Sequence, residues 1–261
     1  MDRERSEPDL AGLIDEIRRL QRLTEGTSLA QKAALLDPGH VLTFPHGLET
    51  VRMSLPDCQT DLIQSWILWH RDFFEGRVLS DLLNRGILRK GQIVWDLGAN
   101  ICNHTVFFAL IARAKRVLSV EPLPHCFAVL DRNRTLNGLE GLVQPIQALA
   151  GAKPGHGELT AFNAANIGAS RFRANPDGAV QIVALDDVAG HLPPDFVKID
   201  VEGMQMDVLR GAEKTIITHR PPVWIELLSE AEHREAAAWF ESHGYRPSEL
   251  LCRHNLLFLP G

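Results

Sequence analysis

Nowhere do more than two basic residues follow one another in this 261-residue chain, and its formal net charge is −6. A chain so charged offers no basic field to hold a nucleic-acid backbone. Cysteines are scarce, and the four at positions 58, 102, 126 and 252 form no close pair and no metal-ligand spacing. That pattern excludes a disulfide framework and a cysteine-held metal, and a reducing cytoplasm is the expected compartment. The eleven histidines stand singly, with no His-x-x-x-His pair. No window reaches the ~18 consecutive apolar residues that a membrane span needs, and the first ten residues, MDRERSEPDL, are charged. The expectation is a soluble protein with one sizeable core and a short accessory segment.

What the chain does have is concentrated at Gln92 to Thr105, QIVWDLGANICNHT. Ile93, Val94 and Trp95 read as a buried strand that ends at Asp96. Gly98, Ala99 and Asn100 form a tight turn, and a helix enters at Asn103 with Val106, Phe107, Phe108, Leu110 and Ile111 as its apolar filling. Such a turn aims backbone N–H groups into a crevice, as nucleotide pockets require. The second glycine of a dinucleotide fingerprint is missing, because Asn100 stands there, so a pyrophosphate lacks its bare backbone. An acidic Asp-x-Gly turn suits the cationic end of S-adenosylmethionine instead. Arg116 to Val120 is a second strand, ending at Glu121-Pro122, and a carboxylate at that tip is placed to accept both ribose hydroxyls. The plainer reading of Glu121 is a cap on the next helix.

Five separated stretches occur in one order: WDLGANICNHT, SVEPLP, the NIGAS at Asn166 to Ser170, LDDV at Leu185 to Val188, and DFVKIDVEGMQMDVLRGA at Asp195 to Ala212. Together they resemble the FkbM-type class I methyltransferases. The resemblance covers about Phe74 to Leu228 and implies an α/β fold, a Rossmann-like seven-stranded mixed sheet with helices on both faces. It also implies S-adenosylmethionine as donor and a hydroxyl of a sugar or polyketide-like molecule as acceptor. Asp96, Gly98, Ala99, Asn100, Cys102 and Asn103 in the turn, and Glu121 and Pro122 at the second tip, are the candidate donor contacts. Gln147 and Ala148, at the end of a third strand over Leu142 to Leu149, fall where the adenine should lie. Two positions depart from the family: Cys102 stands where a glycine is usual, and Gln205 where an acid often follows Val-Glu-Gly-x.

Asp195 to Val201 reads as the fourth strand, with Lys198, Asp200 and Glu202 on one face at period two. Three ionisable groups along a buried strand are costly without a function or a neutralising pair. Asp200 is a further candidate donor contact and the expected base or orienter for the acceptor, helped by Lys198 or Glu202, and His104 on the motif helix is the alternative base. Asp200 and Glu202 lack a third ligand, so no metal is expected.

The remainder falls into an N-terminal helical extension over residues 1–40, a cover over residues 41–90, and the methyltransferase domain over 91–261 with a hairpin insert near 151–183. An amphipathic helix is predicted at Asp9 to Leu23 and a shorter one at Ser28 to Leu36; the stripe packs on its own domain or on a second copy in a homodimer, or serves as a lid or docking surface for a carrier-bound substrate. In the cover, Trp66, Trp69, Phe73 and Phe74 are candidates for the acceptor pocket, against the plainer role of core. Asn166 and Ser170 reach the ligand from the insert or merely turn the chain, Glu226 in the strand Val223 to Leu228 faces the acceptor, a helix is expected from Met206 to Ile217, and a hairpin of Glu249 to Cys252 and Asn255 to Leu259 closes the chain. The competing function is a ligand-binding or scaffold protein whose donor site is crowded by Cys102.

Overall fold

The structure is a computed structural model that describes residues 28–37 and 39–261. The helix expected at Asp9 to Leu23, with any contact it makes, lies outside the described residues. Ser28 opens α1 (Leu29–Ala33) through a capping box with Gln31. The cover continues as a hairpin, β1 (Val41–His46) and β2 (Glu49–Ser54), turned at Gly47 with φ +60°. Leu42, Phe44, Val51 and Met53 alternate inward along it. Asp61 caps α2 (Leu62–His70), accepting from the Gln64 amide at 2.9 Å, and α3 (Gly76–Asn84) follows.

The core alternates strand and helix. β3 (Ile93–Leu97) leads into α4 (Asn103–Val106), which widens into a π-helical turn at Phe107–Ile111. β4 (Arg116–Val120), α5 (Pro124–Leu136) and β5 (Val143–Ile146) complete the first half. The insert holds β6 (Leu149–Ala150), β7 (Gly155–Ala161), β8 (Arg171–Ala174) and β9 (Val180–Val183). The second half is α6 (Leu185–Val188), β10 (Phe196–Ile199), α7 (Gln205–Gly211), α8 (Glu213–His219), β11 (Val223–Glu226), α9 (Glu230–Ser242), and the hairpin β12 (Glu249–Cys252) and β13 (Asn255–Phe258).

Seven strands form one mixed sheet in the order β12-β13-β11-β10-β3-β4-β5. The five from β11 to β5 are parallel, and β13 and β12 pair antiparallel at the β11 edge. This is the α/β architecture of the class I methyltransferases. Parallel strands covered on both faces read as near-continuous apolar runs, which is why Ile93–Leu97 and Phe196–Ile199 were legible. One core packs the cover, α4 and α5 against one face, around Phe73, Phe107, Phe108 and Phe196. The other packs α7, α8 and α9 on the opposite face, around Trp95, Val197, Ile225 and Phe240.

Three predicted elements differ. The third strand stops at Ile146, and Leu149–Ala150 pairs instead with β9 in the insert's own four-stranded sheet. The helix expected from Met206 to Ile217 breaks at Ala212, where Asp186 caps the new start by accepting from the Lys214 and Thr215 amides at 3.0 and 2.9 Å. The fourth strand ends at Ile199, so period two does not carry to Asp200 and Glu202. The Asp200 amide still donates to the Leu97 carbonyl at 2.9 Å, and the chain then turns at Gly203 with φ +86°.

Candidate active site

A cavity of about 700 Å³ opens at the C-terminal ends of β3, β4, β10 and β11, roofed by the insert and flanked by the cover. Ligands in open α/β sheets bind at this end of the strands. The turn after β3 reaches it through Gly98, Ala99, Asn100, Asn103 and His104. Gly98 is required for a reason other than ligand approach. Its φ is +80°, and a Cβ there would lie 1.7 Å from the Asp200 carbonyl oxygen. The two strand ends can cross only where a side chain is absent.

At one end of the cavity, Glu121 and Pro122 leave the tip of β4, beside Leu123, Ala148, Leu149 and Ala150. The Glu121 carboxyl is 5% exposed and accepts from the Asn100 amide at 2.8 Å and the Leu123 amide at 2.9 Å. Burial pushes it up to about 7, against those two amides and the charge of Lys198. Each oxygen keeps a lone pair for a ligand hydroxyl. The side-chain oxygens of Asn100 and Asn166, both on the cavity wall, are buried without a hydrogen bond among the described residues. Ser170 also lines the wall.

At the other end, Lys198 is 2% exposed and anchored on three oxygens: Asp200 Oδ2 at 3.1 Å, the Gly98 carbonyl at 3.2 Å and Asp96 Oδ1 at 3.4 Å. Burial alone would push the ammonium down, but the charges of Asp200 and then Asp96 outweigh it and raise it. Lys198 is therefore a fixed cation. Asp200 is likewise raised by burial and brought below the carboxylate range by Lys198, and it also shares a hydrogen bond with Glu226. Burial, then the Asp200 charge, pushes Glu226 up to about 9. At neutral pH the pair is a carboxylate beside a carboxylic acid. Glu202, also raised by burial, completes this wall.

The structure moves three expected donor contacts off the cavity. Asp96 is fully buried beneath the turn, where it accepts from Thr105 Oγ1 at 2.6 Å and faces Lys198, so it holds the lysine rather than a ligand. Cys102 is also fully buried, packed in the core under the turn at φ +79°. A thiol directed into the core cannot crowd a donor. Gln147 is exposed outside the cavity, because β5 ends at Ile146 and not at the predicted Leu149, and Ala148 lines the wall in its place. Among the aromatic candidates Phe74 alone lines the cavity. Phe73 is core, Trp66 packs edge-on against Phe74, and Trp69 lies beneath the Lys32 ammonium.

Sequence reasoning missed Glu75 and Asn255. Glu75 Oε2 lies 3.3 Å from His104 Nε2, and its Oε1 accepts from Asn255 Nδ2 at 3.0 Å. Glu75 precedes α3 with φ +58°, a left-handed conformation unusual for a residue with a side chain. That unusual backbone was the signal, and only the folded chain displays it.

Residues 96–247 match the family described as the methyltransferase FkbM domain. Over 180 residues the chain is 28% identical to Methyltransferase 1 of Beauveria bassiana, spanning 59% of this chain and 72% of that protein. Over 126 residues it is 29% identical to the hexuronic acid methyltransferase AglP of Haloferax volcanii, spanning 46% of this chain and about half (49%) of that one. The crystal structure of a methyltransferase FkbM from Methylobacillus flagellatus superposes with a TM-score of 0.50 at 17% identity, over 77% of this chain and 56% of that one. That likeness is one of fold.

Proposed function

Because this chain belongs to the FkbM methyltransferase domain family, we propose that it transfers a methyl group from S-adenosylmethionine to a hydroxyl of a sugar or similar polyhydroxylated small molecule. The observation that carries the reading is a single cavity with unfilled hydrogen-bonding groups at both ends. At the β4 end, Glu121 fits the donor's ribose. Its carboxyl has free lone pairs, and the nearby Asn100 and Asn166 oxygens are buried without partners. A ligand that donates hydrogen bonds satisfies all three groups. When bound, the donor supplies an electrophilic methyl; everything else is the work of the chain.

At the other end, the Asp200–Glu226 pair supports an oxygen acceptor. A neighbouring hydroxyl of a polyhydroxylated molecule can donate to the Asp200 carboxylate, while the Glu226 proton stays in the hydrogen bond within the pair. Lys198 holds Asp200 in place through an ion pair of 3.1 Å. The name of the AglP relative, a hexuronic acid methyltransferase, supports a sugar acceptor. The free thiols, with Cys58, Cys102 and Cys126 buried, support a reducing compartment. No helix among the described residues is long and apolar enough to cross a membrane.

The test is transfer of labelled methyl from the donor to a panel of hydroxylated sugars, uronic acids and macrolides. A labelled O-methyl ether supports the reading. Tight donor binding with label only on nitrogen, or on none of the panel, overturns the acceptor class. Calorimetry that detects no binding of donor or of S-adenosylhomocysteine overturns the donor as well.

A further inference from the structure

The cover contributes more to the cavity than a wall. We propose that Glu75 is the positioning residue for His104, and that His104 rather than Asp200 takes the acceptor's proton. The inference rests on the methyltransferase reading above and assigns its base.

Four observations converge on the pair. His104 and Glu75 both line the cavity, with side chains 9% and 16% exposed, and their facing atoms lie 3.3 Å apart. His104 Nε2 is buried and makes no hydrogen bond of good geometry among the described residues, so Glu75 is the one carboxylate it faces at that distance. Glu75 is itself held: Asn255 Nδ2 donates to Oε1 at 3.0 Å, and Asn255 Oδ1 accepts from the buried Trp224 indole at 2.5 Å. The Trp224 ring also meets the His104 ring edge-on, with centroids 5.1 Å apart. Finally, the segment before Glu75 is clamped to the motif helix. The Phe74 amide donates to Asn103 Oδ1 at 3.0 Å, and Asn103 Nδ2 donates back to the Phe74 carbonyl at 3.1 Å.

A base oriented by a carboxylate that is in turn fixed by a third group is the recurring design of proton-accepting sites. The charged groups around the imidazole are Glu75 from the cover, Asp200 and Lys198 from β10 and its end, and Glu226 from β11, with the Cys252 thiol 3.9 Å from Glu75. Asp200 is the weaker candidate, because Lys198 holds it below the usual carboxylate range and Glu226 already gives it a hydrogen bond. A carboxylate so stabilised is a poor proton acceptor, whereas imidazole is the side chain most used for this work at neutral pH. In the step, the acceptor's O–H bond breaks toward the ring nitrogen turned away from Glu75. The freed electron pair forms the new O–CH₃ bond, and the pair of the broken C–S bond stays on the departing thioether. Glu75 stabilises the resulting imidazolium.

The experiment uses the full chain, the acceptor identified from the sugar panel, and calorimetry with S-adenosylhomocysteine as a control on the donor site. Glu75→Gln is expected to keep donor-site affinity within about twofold, to lose tenfold or more in turnover, and to move the acidic limb of the rate profile to lower pH. His104→Ala is expected to lose turnover and to recover part of it with added imidazole. Glu75→Gln with a wild-type rate and an unmoved acidic limb overturns the proposal. His104→Ala with at least half the wild-type turnover also overturns it, and so does His104→Ala that imidazole cannot rescue. If Glu75→Gln fails to bind S-adenosylhomocysteine, the His104→Ala arm decides alone. A wild-type chain that binds neither donor nor product removes the function first, a result distinct from all of these.

Discussion

Donor binding should depend on pH through Glu121, over a range set by its burial. The carboxyl is 5% exposed and pushed up to about 7, so near neutrality it is half protonated in the donor-free protein. Ribose hydroxyls donate to a carboxylate through both oxygens, and a protonated carboxyl has lost part of that acceptor capacity. Binding therefore draws on the ionised fraction: about one tenth at pH 6, one half at pH 7 and nine tenths at pH 8. The apparent Kd should fall about tenfold from pH 6 to pH 8, with about half a proton released per donor bound at pH 7. Calorimetry at the three pH values, in two buffers of different ionisation heat, measures both quantities. Glu121→Gln keeps the side chain's shape but removes its charge. It should weaken binding by about 1.5–3 kcal/mol, the worth of a charge-assisted hydrogen bond, and flatten the pH dependence. Tight binding that is level from pH 6 to 8 in the wild type, or a tenfold pH effect that survives in Glu121→Gln, would refute the reasoning.

Three further outcomes follow from the same geometry. Cys102→Gly relieves a left-handed backbone worth about 1–2 kcal/mol and removes a buried thiol of comparable worth, so stability should change little. Donor affinity should stay within about twofold, because the thiol does not reach the cavity; a tenfold gain by calorimetry would revive the crowded-site reading. Between about 4.5, where an unfolded glutamate ionises, and about 9, folded Glu226 keeps a proton that the unfolded chain has released, so it lowers stability as pH rises. Glu226→Gln should therefore raise Tm more at pH 8 than at pH 5, and equal shifts in thermal melts at the two pH values would count against the shared proton. Lys198→Met leaves Asp96 buried beside an apolar chain, and denaturant unfolding should show a loss of about 3–5 kcal/mol. A loss under 1 kcal/mol would mean that the lysine is not the fixed cation of the site.

Local signals were enough to lay out the sheet. Strand, turn and helix from Gln92 to Ile111 follow from an apolar run, a glycine that must take φ +80°, and renewed apolar filling, all in one unbroken stretch. The same holds for the terminal hairpin, where Glu249–Cys252 and Asn255–Phe258 pair across a short loop. Errors arose where side-chain direction depends on contacts far along the chain. Asp96 ends its strand as predicted, yet Lys198, about a hundred residues on, draws its carboxylate beneath the turn. Cys102 reads as a departure from glycine, but which way its thiol turns is decided by the core below the loop, not by its neighbours in sequence.

Glu75 marks the limit most clearly. In sequence it is one acid between Phe74 and Gly76 in a cover segment whose aromatic residues are the stronger signal. Its place beside His104 depends on the Asn103 clamp 29 residues ahead of Phe74 and on Asn255, 180 residues beyond Glu75 itself. Neither contact leaves a trace in periodicity or composition. The three elements involved, cover, motif helix and terminal hairpin, meet only once the seven-stranded sheet has brought them to one end. A site assembled in this way ties chemistry to fold integrity. Loosening the clamp through Asn103→Ala is expected to cut turnover, as Glu75→Gln is, and to leave donor affinity unchanged. Turnover and donor affinity that fall together would instead mean that the clamp supports the whole cavity and not the histidine alone.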